Sequence, residues 1–491
     1  MRLSSPDLHA LVQSFTANEK MLFKRFNASA KESAAYLLLF DVLAAMKIYD
    51  EEKLKAQLAK RNPSPDLKSL KGYLYEQLML FLRVNVDTKN KLWQMRQLNT
   101  DADILMSKGL RRNALELHKE HLAASKTMSN PLREIIALDN IVGYAHRTAD
   151  PLLLQEYELL LEKKVRSFLN EIEAEKEFRK VAVFYGENYP IRDQQTLRRL
   201  KQLGKTKFMQ SERNVHTPLA HLFYYNFYVY FHYMLGDFEK AFHFAAKRYK
   251  YIKSHHTEFQ NAPMYQMSTL EIMIGALIKA GRFEEALRYY NELKAMEITQ
   301  TDIRGRLLVH ACFVMLNANF EWTEATRQER EKSLQFLFEN KNYSPVISDS
   351  LMRLAYACFR HKEYNTTLTL LNEIISEKYA FRQSVLQTEA RVLGILTHYQ
   401  MKNYLLIEYL INNTKRYLRH EKKLYPFEYA IMNGIRHLPE KINERDVELA
   451  LLKWKNNLQE ITKNPFERNA MGGFDFVGWI DKNLNPKAKA V

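Results

Sequence analysis

Residues 276–293, ALIKAGRFEEALRYYNEL, carry the pattern that decides the fold. The stretch reads as the end of one helix, a tight turn at Gly281 and a second, amphipathic helix. Glycine can adopt the positive φ that ends a helix because it has no Cβ to clash. We expect the apolar stripes of the two helices to pack against each other. The stripes are Leu270, Met273, Ile274, Leu277 and Ile278 before the turn, and Phe283, Ala286, Leu287, Tyr290 and Leu293 after it.

The same unit recurs along the chain. Each copy has a turn residue, an aromatic residue two positions later and a small or apolar residue five positions later. The copies are Gly236 with Phe238 and Ala241, Gly281 with Phe283 and Ala286, Lys362 with Tyr364 and Thr367, and Lys402 with Tyr404 and Ile407. A further unit is expected near 304–340, and Gly109 with Ala114 marks a candidate degenerate copy. Repetition of a helical pair predicts an array of stacked units.

This pattern resembles the tetratricopeptide repeat, whose signature has a turn glycine, an aromatic residue and an alanine at these offsets. There are two departures. Ile274 occupies a position where the family prefers a small residue, and the repeats are longer than the usual length of about 34 residues. The resemblance implies an all-α fold, a right-handed α-solenoid of antiparallel helix pairs. The N-terminal half also resembles a group of bacterial proteins, a resemblance that implies no function.

Local signals divide the chain into four regions. We predict an N-terminal helical region at 1–90, a long-helix region at 91–215, tetratricopeptide-like repeats at 216–460, and a C-terminal cap with a flexible tail at 461–491. Thr16 and Glu19 fit a capping box, and Asp150 followed by Pro151 predicts a helix start. The segment FDFVGWI at 474–480 is expected to fold back as the cap. A docking segment for another protein is the alternative.

The composition indicates a helical, basic protein. Glycine and proline number only 14 and 13 among 491 residues, which favours long helices over sheets with frequent turns. The formal net charge of +16 permits binding to nucleic acid, anionic lipid or acidic proteins. Cys312 and Cys358 lie in apolar helical patterns, which favours buried thiols in a reducing compartment.

No membrane segment is predicted. The N-terminus, MRLSSPDLHA, lacks the apolar core of a signal peptide. The longest apolar run, at 34–46, is interrupted by Asp41 and is shorter than the roughly 20 residues that span a bilayer. We therefore expect a cytoplasmic protein without membrane insertion.

The short motifs that mark common catalytic sites are absent from the sequence. It contains no HExxH, no CxxC, no GxSxG and no glycine-rich dinucleotide turn. We therefore predict that the protein is not an enzyme and has no catalytic residue, metal site or cofactor. An active site assembled from distant residues is the remaining enzyme hypothesis.

In tetratricopeptide-repeat proteins the first helices of successive units line a concave groove. The resemblance therefore implies a protein-interaction scaffold whose partner is a protein or peptide. Carried over by turn offset, the partner-binding groove contains Asn226, Tyr230, Tyr233, Glu271, Tyr356, Arg360 and Tyr399. On or near the same face lie Ile278, Met352, Phe359, Val392 and Leu396. Because this groove has few lysines, we expect an amphipathic helix or extended peptide rather than a C-terminal carboxylate.

Basic residues support an alternative function. They concentrate near 192–213, 247–256 and 415–423. The basic patch would consist of Arg198, Arg199, Lys201, Lys205, Lys207, Lys247, Arg248 and Lys250. Such a patch would contact the phosphates of nucleic acid and bind in a salt-sensitive manner. The same residues also suit solvated helix faces and helix C-termini, where cations oppose the helix dipole.

Overall fold

A computed structural model describes most of the chain. The described residues are 5–27, 34–59, 66–85, 91–127, 131–259, 261–320, 323–340, 346–376, 384–438, 443–468, 470 and 474–484. Within these ranges the chain forms α-helices and two short 3-10 helices, without any strand, so the all-α fold class is confirmed. The chain divides into two compact units, Met1–Leu161 and Glu162–Val491. The end of the predicted tail, 485–491, lies outside the described residues.

The unit Met1–Leu161 begins with an aromatic core. Its helices are α1 (Ser5–Gln13), α2 (Ala17–Phe26), α3 (Ala34–Ala45), α4 (Glu51–Ala59), α5 (Leu67–Val84), α6 (Lys91–Ser107), α7 (Arg111–Thr127) and α8 (Pro131–Thr148). The rings of Phe23, Phe40 and Phe81 pack together where α2, α3 and α5 meet. The predicted capping box is confirmed, because the Glu19 amide donates to the Thr16 hydroxyl and the Thr16 amide donates to the Glu19 carboxylate.

The region around Gly109 has the predicted helix–turn–helix form. Helices α6 and α7 pack against each other, and Gly109 between them has a φ of +78°. Ala114 in α7 is fully buried. The next helix, α9 (Pro151–Asn188), begins at the predicted proline. The boundary between the two units falls within α9.

The unit Glu162–Val491 is a series of consecutive helices. After α9 these are α10 (Gln194–Leu203), α11 (Pro218–Met234), α12 (Phe238–Ser254), α13 (Ala262–Lys279), α14 (Phe283–Ala295), α15 (Ile298–Thr301), α16 (Ile303–Asn317), α17 (Glu324–Glu339), α18 (Val346–Arg360), α19 (Tyr364–Ile375), α20 (Ser384–Gln400), α21 (Tyr404–His420), α22 (Pro426–His437), α23 (Glu444–Ile461), α24 (Pro465–Arg468) and α25 (Phe476–Leu484). Consecutive helices from α11 to α17 and from α18 to α23 pack against each other. The unit expected near 304–340 corresponds to α16 and α17.

The four predicted turn residues of this unit have a left-handed backbone conformation. The φ angles of Gly236 and Gly281 are +72° and +77°, and those of Lys362 and Lys402 are +64° and +61°. Each of these residues lies between two helices that pack on each other. A positive φ at this point ends the first helix and reverses the chain. The predicted turn positions are therefore confirmed, also where lysine replaces glycine.

The predicted apolar stripes are buried except for Phe283, which is half-buried, and Leu287, which needs a correction. Ala241 and Ala286 are fully buried, and Tyr290 and Leu293 are buried on the same stripe as Ala286. Leu287, which was expected on that stripe, is 41% exposed. An α-helix turns about 100° per residue. Leu287 is therefore rotated away from Ala286 and lies beyond the edge of the packed face.

Alternate helices of this unit also touch. Helix α13 contacts α16, α16 contacts α18, α18 contacts α20, and α20 contacts α22. The beginning and the end of the unit meet as well. The Arg192 guanidinium lies 2.6 Å from a Glu428 carboxylate oxygen and 2.8 Å from a Glu467 carboxylate oxygen. Side chains of α9 and α11 contact each other and lie near those of α13, α18 and α20, so these five helices enclose a shared space.

Candidate functional site

The shared space contains a cluster of tyrosine and charged side chains, called here the polar cluster. Its members are Tyr185 and Tyr189 of α9 and its C-terminal end, Tyr230 and Tyr233 of α11, Glu271 and Lys279 of α13, Asp349 and Arg353 of α18, and Glu389 of α20. The tyrosine rings pack on one another. The Tyr185 ring centroid lies 4.9 Å from that of Tyr189 and 5.2 Å from that of Tyr230, and the Tyr189 and Tyr233 centroids are 5.7 Å apart.

Helical spacing explains how α18 and α20 contribute. Asp349, Arg353 and Tyr356 are four and three residues apart, so they lie on one face of α18. The Arg353 Nε atom is 2.7 Å from the Asp349 Oδ2 atom. Glu389 holds the same position on α20, relative to its turn, that Asp349 holds on α18. The Tyr356 hydroxyl donates to Glu389 Oε2 at 2.9 Å and thereby connects the two helices.

Several polar groups of the cluster have no hydrogen-bond or ion-pair partner among the described residues. They are the carboxylate of Glu271, the ammonium of Lys279 and the hydroxyls of Tyr185, Tyr189, Tyr230 and Tyr233. Each of these polar atoms keeps some contact with solvent, because none of them is among the fully enclosed atoms without a partner in the described ranges. The side chain of Asp349 keeps 38% of its surface accessible, although charged groups of α13 and α18 surround it. These polar groups are therefore half-buried with some access to solvent, and they can bond a ligand.

The surroundings shift the ionisation of the cluster. Burial, together with the nearby Asp349 carboxylate, raises the pKa of Glu271 to about 7. Burial lowers the pKa of Lys279, and the positive charge of the Arg353 guanidinium lowers it further. For Asp349 burial acts in the opposite direction, but the charges of Arg353 and Lys279 outweigh it and lower the pKa. Titratable groups with such shifts concentrate at functional sites in proteins.

A pocket opens on one side of the polar cluster. Its volume is about 130 Å³, and Tyr189 and Glu389 form the part of its wall that belongs to the cluster. Lys422, Lys423 and Tyr425 line its other side. Arg192 also lines the pocket. Its guanidinium stacks 4.2 Å above the Tyr425 ring and forms ion pairs with the carboxylates of Glu428 and Glu467. The pocket gives a small polar group access to the cluster.

A second, apolar cluster follows along the same helices. This aromatic cluster consists of Tyr356 and Phe359 of α18, Tyr399 of α20, Phe427 of α22 and Trp454 of α23. It is covered by the chain's own segment Phe474–Leu484, which contains α25. The Phe474 ring centroid lies 5.7 Å from that of Tyr356 and 5.2 Å from that of Phe359. Trp479 contacts the rings of Tyr399 and Trp454.

The residues predicted for a partner-binding groove fall into four groups. Tyr230, Tyr233 and Glu271 belong to the polar cluster, and Tyr399 belongs to the aromatic cluster. Tyr356 borders both clusters, since its hydroxyl binds Glu389 and its ring faces Phe474. The last group is not joined to either cluster. Asn226 is half-buried with an Oδ1 atom that has no partner among the described residues, and Arg360 donates to the Ala318 carbonyl.

Seven of the eight residues predicted for a basic patch are exposed. They are Arg198, Arg199, Lys201, Lys205, Lys207, Lys247 and Lys250. Within the described part of the chain none of the seven forms an ion pair. Arg248 differs, because it is only 4% exposed and donates to the Thr269 hydroxyl and the Tyr265 carbonyl oxygen. Arg248 therefore supports α13 from within and is not part of an exposed basic surface.

Sequence reasoning missed six members of the polar cluster. They are Tyr185, Tyr189, Lys279, Asp349, Arg353 and Glu389. One signal was present: Asp349 and Glu389 place a carboxylate at the same repeat position in two helices of the array. For Tyr185 and Tyr189 no signal existed, because α9 precedes the repeats and only the folded chain brings it to them.

Comparison with known proteins assigns no family. No model of a known protein family matches this sequence, and no curated protein matches it significantly. In the described ranges no three His, Cys, Asp or Glu side chains are grouped so that they could hold a metal ion. None of the described helices is both long enough and apolar enough to cross a bilayer.

Proposed function

We propose that the unit Glu162–Val491 is a non-catalytic protein-interaction scaffold. It binds a peptide or helix of a partner protein at the polar cluster. The observation that carries this proposal is the presence of unpaired, half-buried groups of both charges, Glu271 and Lys279, beside four tyrosine hydroxyls. Acceptors and donors of this kind match the N–H and C=O groups of a peptide backbone. The tyrosine rings add flat contact area at low entropic cost.

In this proposal the helices form a right-handed, tetratricopeptide-like solenoid, and the polar cluster lies on its concave side. Two observations support this arrangement. The turns at Gly236, Gly281, Lys362 and Lys402 share a positive φ. The first helices α13, α16, α18, α20 and α22 touch in series. A solenoid of this kind presents its first helices to a bound peptide.

The test is affinity capture from the protein's own cells, followed by mass spectrometry. The bait carries either Glu271→Gln with Lys279→Met or the matched control Glu284→Gln with Lys294→Met. The control removes the same charges from exposed positions of α14. A discrete protein partner should bind the wild-type chain and the control but not the cluster variant. Equal capture by both variants would place the partner elsewhere and overturn the proposal.

A second candidate function is binding to nucleic-acid phosphates at the exposed basic residues of α10, the segment that follows it and α12. The seven exposed, unpaired cations favour it. Binding of a labelled 20-nucleotide RNA should then weaken by about tenfold or more between 50 and 200 mM salt. Replacing Arg198, Lys201 and Lys205 with glutamate should abolish it, whereas the cluster variant should leave it unchanged. Binding that ignores salt would exclude a phosphate-contacting surface.

A further inference from the structure

The segment Phe474–Leu484 contacts the molecule as a bound peptide would. Two residues without regular secondary structure, Phe474 and Asp475, lead into the short helix α25. Three side chains of the segment are buried: Phe474 is 4% exposed, Phe476 6% and Ile480 0%. Two polar side chains are exposed, Asp475 between the phenylalanines and Lys482 after Ile480. The segment therefore buries one apolar edge and leaves its polar edge in solvent. This pattern of alternating anchors is typical of a peptide in a groove.

The surface beneath the segment consists of residues from successive helices. Phe474 lies on α18, Phe476 meets the ring of Phe427 on α22 at 5.9 Å, and Trp479 lies between α20 and α23. Lys455 adds an ion pair to Asp481, with 2.6 Å between Nζ and Oδ1. Tyr356 and Tyr399, which the sequence pattern placed in a peptide-binding groove, are both covered. The segment thus occupies part of the predicted groove.

The covered surface is held in place by groups other than the segment. The Tyr356 hydroxyl is fixed by Glu389. Trp454 packs directly on the backbone of α22 at Gly434, where an added Cβ would lie only 2.3 Å from the indole ring. Removal of the segment would therefore leave the aromatic surface formed but exposed to water. Exposure of aromatic side chains to water is unfavourable, so the uncovered surface would bind another apolar segment.

Tyr356 couples this surface to the polar cluster. Its ring stacks on Phe474, and its hydroxyl bonds Glu389, which lines the pocket beside Tyr189. A ligand that starts at the polar cluster and continues along α18 and α20 therefore meets Phe474 next. The length of groove open to a partner depends on whether Phe474–Leu484 is in place.

We propose that Phe474–Leu484 is an internal ligand of the groove, which a partner displaces by offering the same chemistry. That partner segment carries two phenylalanines separated by one residue, followed by a short amphipathic helix with an apolar and an acidic anchor. This inference rests on the proposed scaffold function and names the regulation of its groove. The tethered segment competes at high effective concentration, so it lowers the apparent affinity for any external segment.

The experiment uses a fluorescein-labelled peptide, FDFVGWIDKNL, and the full chain. Fluorescence anisotropy compares the wild-type chain with the variant Phe474→Ala/Phe476→Ala, whose own segment is weakened. The peptide should bind the variant at least about tenfold more tightly than the wild-type chain, because the fraction of open groove rises. A peptide with both phenylalanines replaced by alanine is the control and should not bind.

Three results would overturn the inference. They are absence of binding to a folded variant, equal binding to both chains, and a variant whose segment pairs with a second copy, seen as a dimer by light scattering. If the variant does not fold, hydrogen exchange of the wild-type chain decides. Excess peptide should deprotect 474–484, whereas unchanged protection contradicts the inference. The variant Glu271→Gln/Lys279→Met should keep peptide binding, so failure here and failure of partner capture at the polar cluster are separate outcomes.

Discussion

The polar and aromatic clusters lie along the same helices but differ in whether other parts of the chain contact their side chains. Helices α18 and α20 contribute to both. In the aromatic cluster the rings are covered by Phe474 and Trp479 of the chain itself. In the polar cluster Glu271 and Lys279 have no partner in the described structure and are half-buried with some access to solvent. The difference indicates that a partner can bind the polar cluster directly but must replace a segment to reach the aromatic one.

Physical chemistry explains why the two regions differ. Water can hydrate an unpaired carboxylate or ammonium, so a polar surface remains stable without a cover. A row of five aromatic side chains gains no comparable hydration, and its exposure to water raises the free energy of the folded chain. The chain therefore covers Tyr356, Phe359 and their neighbours with its own residues. The following predictions test whether the two regions behave independently.

The largest effect is expected from overpacking the helix pair beneath the polar cluster. Ala286 is fully buried on α14, which packs on α13 and thus supports Glu271 and Lys279. Ala286→Trp should destabilise the chain by about 3 kcal/mol or more, because the closely packed helices must separate. Hydrogen exchange should show lost protection in α13 and α14 and unchanged protection in Phe474–Leu484.

Leu287→Trp is the matched control, since the Leu287 side chain is already 41% exposed. Urea unfolding should show little change for this variant. If Ala286→Trp is equally neutral, the register of the helix pair is wrong. Loss of protection throughout the unit would show that the two clusters do not behave independently.

The next effect concerns the ion pair at the centre of the polar cluster. Arg353→Met leaves the Asp349 carboxylate enclosed without its guanidinium partner. We expect a loss of about 2 kcal/mol, below the cost at a fully buried pair, because Asp349 retains accessible surface and Lys279 stays nearby. Arg353→Met with Asp349→Leu should recover most of the loss in urea unfolding. Additive losses in the double variant would mean that the pair makes no net contribution.

A smaller effect is expected at the border between the clusters. Tyr356→Phe removes the hydroxyl that donates to Glu389 but keeps the ring that stacks on Phe474. The loss of this donor should cost about 1.5 kcal/mol in urea unfolding. Hydrogen exchange of Phe474–Leu484 should stay unchanged, whereas Tyr356→Ala should release the segment. Release by both variants would mean that the hydroxyl, not the ring, holds the cover.

The smallest effect is a change with pH at Glu271. Burial raises its pKa to about 7 from the ordinary value of 4.5, so the folded chain binds more protons than the unfolded chain between these values. The contribution of Glu271 to stability is therefore largest below pH 4.5 and falls as the pH rises towards 7. Glu271→Gln should be more stable than the wild-type chain by on the order of 1 kcal/mol at pH 8.

The measurement is the melting temperature of both chains between pH 4 and 8. The gap between Glu271→Gln and the wild-type chain should open above pH 5 and level off above pH 7. Glu284→Gln, at an exposed position of α14, is the control and should follow the wild-type curve. Parallel curves for Glu271→Gln would mean that this carboxylate is hydrated as in the unfolded chain.

Much of the fold was predictable from local patterns. The turns at Gly236 and Gly281 follow from glycine's freedom to adopt a positive φ, and the apolar stripes identify their lysine counterparts at Lys362 and Lys402. The capping box at Thr16 and the helix start at Pro151 are equally local signals. Leu287 shows the limit, because one residue beyond the stripe is enough to expose a leucine.

The candidate site was predictable only in part. Turn offsets placed Tyr230, Tyr233 and Glu271 on a common face, since a repeated helix presents the same positions to the same side. They could not reveal that Arg248 turns inward to Thr269. Nor could they reveal that Arg360 caps the carbonyl of Ala318, because both contacts depend on how neighbouring helices approach.

The sequence alone therefore determined the helices, their turns and the faces that are buried, because each of these depends on residues within a few turns of one another. Only the tertiary structure decided which faces meet. It brought Tyr185 of α9 and Tyr189 just after it to Asp349 and Glu389, which follow far later in the chain. It also laid Phe474–Leu484 over the aromatic cluster. Such long-range contacts follow from how successive helices stack, which no local pattern encodes.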